Sequence, residues 1–173
     1  SDQVKMVHTF IYNGAEQKPS PTVTLVIKDS TGNTVGTPVT LTEGTDYEVI
    51  YSNNIDAATK DDTNAPQAFL RGLGDNITGD SDPYKFTIKP VPMVVNWSDK
   101  DTFQFDGQYH IRKGTVTADV VDGEVISFTL TGKERNVGEG YEAVIEITGV
   151  EGGRGKLSNY ILPDPDELTE VYD

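Results

Sequence analysis

The chain has 173 residues, with 14 basic against 28 acidic side chains and a net charge of −14. So acidic a surface repels phosphate and offers no basic stripe to release counterions, which excludes nucleic acid and anionic membrane surfaces as partners. The absence of cysteine removes disulfides, thiolate nucleophiles and sulfur-ligated zinc, and only His8 and His110 remain for imidazole chemistry.

Val, Thr and Ile number 49 against 15 for Ala plus Leu, and β-branched side chains suit a pleated, half-buried surface. Strands are therefore expected wherever apolar residues recur with period two. Val23, Leu25 and Ile27 interleave with Thr22, Thr24 and Lys28, which predicts an apolar and a polar sheet face. Tyr47, Val49 and Tyr51 alternate around Glu48. The segment from Ser52 to Pro66, rich in Asn and Asp, reads as an exposed loop, and a second acidic turn region runs from Asp75 to Pro83. Tyr84, Phe86 and Ile88 then alternate with Lys85, Thr87 and Lys89. The same period returns in Val116, Ala118 and Val120, in Ile126, Phe128 and Leu130, and in Tyr141, Ala143, Ile145 and Ile147. Asn13-Gly14, Gly32-Asn33, Asp106-Gly107, Asp122-Gly123 and Gly152-Gly153 are turn signals, because these residues tolerate left-handed backbone. No stretch keeps a helical period for three turns. The pattern is that of an all-β sandwich or barrel.

An internal repeat divides the chain. Phe10, Tyr12, Asn13, Gly14, Thr22, Val23 and Thr24 align with Phe103, Phe105, Asp106, Gly107, Thr115, Val116 and Thr117 at a constant offset of 93. Between the two lies Lys89-Pro90-Val91-Pro92, where fixed φ angles and missing amides should end a strand and stiffen the joint. Two tandem units are expected, residues 1–90 and 91–173, with net charges of −5 and −9.

The first unit resembles an immunoglobulin-like repeat of bacterial cell-surface proteins. The likeness rests on Phe10-Ile-Tyr12-Asn-Gly14, on Leu41-Thr-Glu-Gly44-Thr-Asp46-Tyr47-Glu-Val49-Ile-Tyr51-Ser-Asn53-Asn54, and on Gly72-Leu-Gly74-Asp-Asn76-Ile-Thr78-Gly79. Here the chain inserts Ala57 to Asn64 where that family continues with a small-residue turn. The second unit resembles the MBG-type modules of large bacterial adhesins, through Phe105-Asp-Gly107, Asn136-Val-Gly138-Glu-Gly140-Tyr141, Ser158-Asn159-Tyr160-Ile161 and Leu168-Thr-Glu-Val171. The resemblance implies two tandem immunoglobulin-like β-sandwich domains and a secreted or wall-associated protein of a Gram-positive bacterium.

Candidate chemistry is sparse. His8 and His110 lack a Ser and Asp arrangement around them, and among so many acids a close carboxylate pair carries little information. Gly153-Arg154-Gly155-Lys156 fails as a phosphate loop, because Leu157 follows the lysine and Val150 stands where the first glycine belongs. Asp75, Asp80 and Asp82, or Asp164, Asp166 and Glu167, offer hard oxygens for calcium but lack the calcium-loop spacing. Lys113, Asn159 and Glu146 are the nominees for an isopeptide crosslink, with Glu146 expected on the solvent face. Trp97 and Tyr109 are candidates for a sugar-stacking platform, although the alternation of Trp97 with Met93 and Val95 points to a core role. No catalytic, cofactor-binding or metal-binding residue is therefore assigned, and no cofactor is expected.

The expected function is that of a non-catalytic stalk or adhesion module of a larger bacterial cell-surface protein. Its partner would be a host or cell-wall ligand, glycan or protein. The alternative is a glycan-binding accessory module of a secreted carbohydrate-active enzyme. The chain is expected to be monomeric and extracellular, without membrane insertion, since no run of about 18 apolar residues occurs. No signal peptide opens it, and Ser1 does not read as a native start. Sandwich blocks on the order of 30 to 40 Å long, at about 3.3 Å per strand residue, joined by a stiff spacer, would make a rod.

Overall fold

A computed structural model describes residues 9–75, 77–119, 121 and 123–173. His8, Asn76, Val120 and Asp122, which entered the sequence reading, lie outside the described residues. The chain divides into two compact units, Ser1–Lys89 and Pro90–Asp173. Among the described residues every regular element is a strand or a short 3-10 turn, so the protein is nearly all-β and built of several sheets. None of those residues forms a helix long and apolar enough to cross a membrane.

In the first unit, β1 (Thr9–Ile11) pairs in parallel with β7 (Thr87–Lys89). β2 (Thr24–Leu25) and β3 (Val39–Thr40) form a hairpin, while β4 (Tyr47–Ser52), β5 (Gln67–Gly72) and β6 (Tyr84–Lys85) form an antiparallel sheet. The core holds Tyr12, Val23, Tyr47, Ala65, Ala68, Phe86 and Ile88. Alternation from Tyr84 to Lys89 is realised as read: Phe86 and Ile88 are wholly buried while Lys85 and Lys89 are exposed. The alternation at Val23, Leu25 and Ile27 is not. Val23 is buried, but Leu25 is 40 % and Ile27 61 % exposed. The reason is that β2 pairs with β3 alone, so past Val23 no second layer covers the apolar face, and Val35 and Val39 of the same hairpin are left open with it.

The segment from Ser52 to Pro66 forms no strand but is exposed only in its middle, from Thr59 to Asn64. Its ends are pinned. Asn54 is buried, its side-chain amide donates to the Gln17 carbonyl at 3.0 Å, and Ala58 bridges Ile88 through a reciprocal pair of backbone hydrogen bonds.

The second unit contains β8 (Val91–Trp97) between β9 (Gly114–Ala118) and β12 (Tyr160–Ile161). A second sheet places β11 (Tyr141–Glu151) between β10 (Val125–Thr131) and β13 (Thr169–Tyr172). The proline-containing joint ends β7 at Lys89 as expected, yet Pro92 lies inside β8. It is tolerated because the ladder to β9 begins one residue later, at Met93, so no bond to β9 needs its missing amide. The long β11 keeps Ala143 and Ile145 buried and then switches phase to bury Val150. The switch follows a bulge: Ser127 opposes Gly149 but Phe128 opposes Ile147, leaving Thr148 unpaired.

The 93-residue repeat has structural content. Phe10 meets Phe86 edge-on at 5.5 Å, and Phe103 meets Tyr172 edge-on at 5.9 Å. The Asn13 side-chain oxygen accepts the Ala15 amide at 3.1 Å and the Gln17 side-chain amide; the Asp106 carboxylate accepts the Gln108 amide at 2.8 Å and contacts His110 Nε2 at 2.8 Å. Gln17 and His110 are themselves 93 apart. Both units therefore open on the same Asx turn, closed by the side chain four residues on.

Candidate functional site: an aromatic surface beside the Asp106 turn

In the second unit the turn is surrounded by rings. His110 stacks on Phe103 at 4.9 Å with 21° between planes, and Lys100 Nζ sits 4.6 Å from the centroid of the same phenyl ring. Tyr172 reaches behind them, its hydroxyl donating to the Gly132 carbonyl at 2.5 Å with the His110 carbonyl 3.2 Å away. The backbones of His110 and Glu134 exchange two hydrogen bonds, which ties the turn to the loop after β10. The Glu134 carboxylate then folds that loop back by accepting the Arg135 amide at 2.7 Å, the Asn136 amide at 3.1 Å and the Asn136 side chain at 2.9 Å.

Between these parts lies a cavity of about 80 Å³ lined by Phe103, Phe105, His110, Asn136, Val137 and Tyr141 among others. It is well short of the roughly 300–1,000 Å³ that encloses a small molecule. A ligand would lie across its mouth. There Phe105 is 68 % and Val137 83 % exposed. Tyr109, 65 % exposed, carries the Arg135 guanidinium 5.7 Å from its ring centroid. The matching positions of the first unit are closed or charged: Tyr12 is buried, Gln17 is buried, and Glu16 pairs with Lys18 in solvent. The same turn thus seals the first unit and displays aromatic surface on the second. Scattered exposed apolar residues are ordinary, whereas a cluster around a concavity marks a contact surface.

The carboxylates that shape the site are held ionised. The Gln108 amide, and next the His110 ring nitrogen, keep the Asp106 carboxyl below its ordinary value of 3.8. The amides of Arg135 and Asn136 lower Glu134 in the same way. A depressed carboxyl contributes stability that is present above its unfolded value and lost as the pH falls through the folded one. Asp106→Asn should therefore destabilise the second unit at neutral pH and flatten its loss of stability below about pH 3.8. Acid titrations followed by near-UV circular dichroism check this, and superimposable acid limbs for the two proteins would contradict it.

The residues singled out from the sequence fall in several places. Trp97 is half-buried, with its indole N–H donating to the Glu167 carbonyl at 2.9 Å and its ring so close over Gly114 that a Cβ there would lie 2.7 Å away. Its donor is spent on packing, and of the two candidate platform rings only that of Tyr109 stands open. Asp80 is engaged by Arg71 at 2.9 and 3.2 Å. Asp164 and Glu167 form a reciprocal capping box on the 3-10 turn Pro165–Leu168. Among the described residues no three His, Asp or Glu side chains are grouped to hold a metal ion. Lys113 and Glu146 are exposed, and Asn159 is wholly buried. Gly153-Arg154-Gly155-Lys156 lies in a turn whose Gly153 and Gly155 have φ of 46° and 59°.

The sequence reading missed Glu124. This carboxylate is 4 % exposed and accepts the Tyr160 hydroxyl at 2.5 Å and the Arg154 amide at 2.8 Å, anchoring that glycine-rich turn from beneath. Its only signal was a lone acid between a turn and a strand. Compared with protein families, curated proteins and solved structures, the chain matches none.

Proposed function

We propose that the chain is a non-catalytic stalk or adhesion module of a larger bacterial cell-surface protein, made of an immunoglobulin-like β-sandwich unit followed by an MBG-type one. The observation that carries this reading is the recurrence of one opening turn and one edge-on aromatic pair in both units. Serial repetition of a small β module is a way to build reach rather than a reaction centre. The large rings go into packing within each unit, and the carboxylates examined as ligands serve caps, ion pairs and turns. The resemblance of both units to surface-protein repeats supports an extracellular site of action at the cell wall, with a host or wall component as partner.

Adhesion is assigned to the aromatic surface of Phe105, Tyr109 and Val137. A second reading, a glycan-binding accessory module, is favoured by the same surface: flat rings suit the apolar face of a sugar, and Arg135, Gln104 and Asn136 border them with polar groups. The test is the double variant Phe105→Ser with Tyr109→Ala. Its unfolding free energy should stay within about 1 kcal/mol of the parent, since exposed positions and exposed cation–π pairs contribute little. Its retention on immobilised wall polysaccharides and on host cells should be lost. Binding that survives the double substitution would remove the surface from the account, and capture on glycan alone would select the accessory-module reading.

A further inference from the structure

The first and last strands of the first unit run side by side in the same direction, with Thr9 opposite Thr87, Phe10 opposite Ile88 and Ile11 opposite Lys89. The Tyr12 amide extends the ladder by donating to the Lys89 carbonyl at 2.9 Å. Ile88 faces away and bonds Ala58 on the other side at 2.9 and 3.0 Å, so β7 is held on both flanks. Chain enters this unit at the amino end of β1 and leaves it at the carboxyl end of β7. Tension applied through the backbone therefore pulls the two strands past one another along their length. In that geometry all the bonds of the ladder are strained together, whereas a pull across a register pair opens them one after another.

We infer that the parallel β1–β7 ladder is a mechanical clamp, the element that bears tension in the first unit. The closing segment of the second unit repeats the arrangement. Asp173 donates its amide to the Asp101 carbonyl at 2.7 Å and accepts the Phe103 amide at 2.8 Å, the bond pattern of a parallel pair. Phe103 is the repeat partner of Phe10, so in both units the point where chain departs is bonded in parallel to the repeat's opening segment. The edge-on pairs Phe10–Phe86 and Phe103–Tyr172 lie directly beneath these ladders and resist the same sliding. Such a clamp resists forced unfolding through the rate of opening rather than through equilibrium stability. The inference rests on the stalk half of the proposed function and gives it a load-bearing part.

The chain has no cysteine, so handles can be attached at chosen thiols. Thr9, Ile11 and Lys89 are all exposed. Full-length Thr9→Cys/Lys89→Cys protein is pulled along the strands, and Ile11→Cys/Lys89→Cys protein across one register pair. At the same constant force the lengthwise pull should give a lifetime about tenfold longer, the factor that roughly 1.4 kcal/mol of barrier represents. Equal lifetimes, or a shorter one for the lengthwise pull, would overturn the clamp. The stalk reading fails separately, if the whole chain pulled from its ends opens in a single step.

Discussion

Phe86→Ala is expected to remove about 3–5 kcal/mol from the first unit. The ring is wholly buried, meets Phe10 edge-on at 5.5 Å, and sits between β6 and β7 where the Phe86 amide donates to the Pro66 carbonyl at 2.9 Å. Truncation leaves a cavity beneath the β1–β7 ladder that the short flanking strands close poorly. A unit of this size has a total stability of roughly 4–13 kcal/mol at ordinary per-residue values. The loss thus takes much of the stability at the upper end and all of it at the lower. In calorimetry one transition should fall by roughly 12 °C or more, since 1 kcal/mol corresponds to about 4–8 °C in a domain of 60–100 residues. Tyr172→Ala should act in the same way on the other transition, as Tyr172 is 2 % exposed and holds the corresponding place against Phe103. A single transition that moves with either substitution would contradict two separate cores.

Gly132→Ala should destabilise the second unit by about 2–5 kcal/mol. Gly132 follows β10 with a φ of 102°, and a Cβ there would lie 1.9 Å from the Glu142 carbonyl oxygen. Two costs combine: about 1–2 kcal/mol for left-handed backbone in an L-residue and about 1–3 kcal/mol for displacing packed structure. The backbone that must move belongs to β11, whose register with β13 runs through Glu142 and Val171. Because the Gly132 carbonyl also accepts the Tyr172 hydroxyl, the disturbance reaches the wall of the aromatic site. Gly36→Ala isolates the first cost, since Gly36 has a φ of 81° with nothing within 4 Å of its Cβ position. Denaturant midpoints of the two variants separate strain from collision. Equal losses for Gly36 and Gly132 would contradict the crowding at Glu142.

Much of this architecture was legible in the residues, because period-two alternation reports what the strand itself experiences. Tyr84 to Lys89 and Ala143 to Ile145 bury the side chains that their pattern predicts. All five dipeptide turn signals contain a glycine with positive φ: Gly14, Gly32, Gly107, Gly123 and both Gly152 and Gly153. Legibility ends where burial depends on a second layer. Leu25 and Ile27 alternate as well as Phe86 and Ile88 do, yet nothing in the hairpin's own sequence states whether a sheet will cover it. The bulge at Thr148 was equally silent, since Ile147 and Val150 suit either phase.

The candidate site was half visible. The offset of 93 aligned Phe105 with Tyr12, and a reader of the sequence had no means of learning that one ring is sealed and the other displayed. That difference arises from distant partners: His110 and Glu134 exchange backbone bonds and open a loop carrying Arg135 to Val137, while Gln17 and Asn54 do the equivalent and close over Tyr12. Glu124 was unreadable for the same reason, because its acceptor role is fixed by Tyr160 and Arg154, more than thirty and exactly thirty positions away in the chain.

Stretching the intact chain from its two ends tests the central claim most directly, namely that two β units act in series, each with its own core and its own resistance to load. The account predicts two abrupt lengthenings, each on the order of 300 Å, the extended length of 80 to 90 residues at about 3.3–3.6 Å apiece. Phe86→Ala should weaken one of them and leave the other unchanged. One lengthening of about 600 Å, or two that both weaken with that substitution, would contradict it.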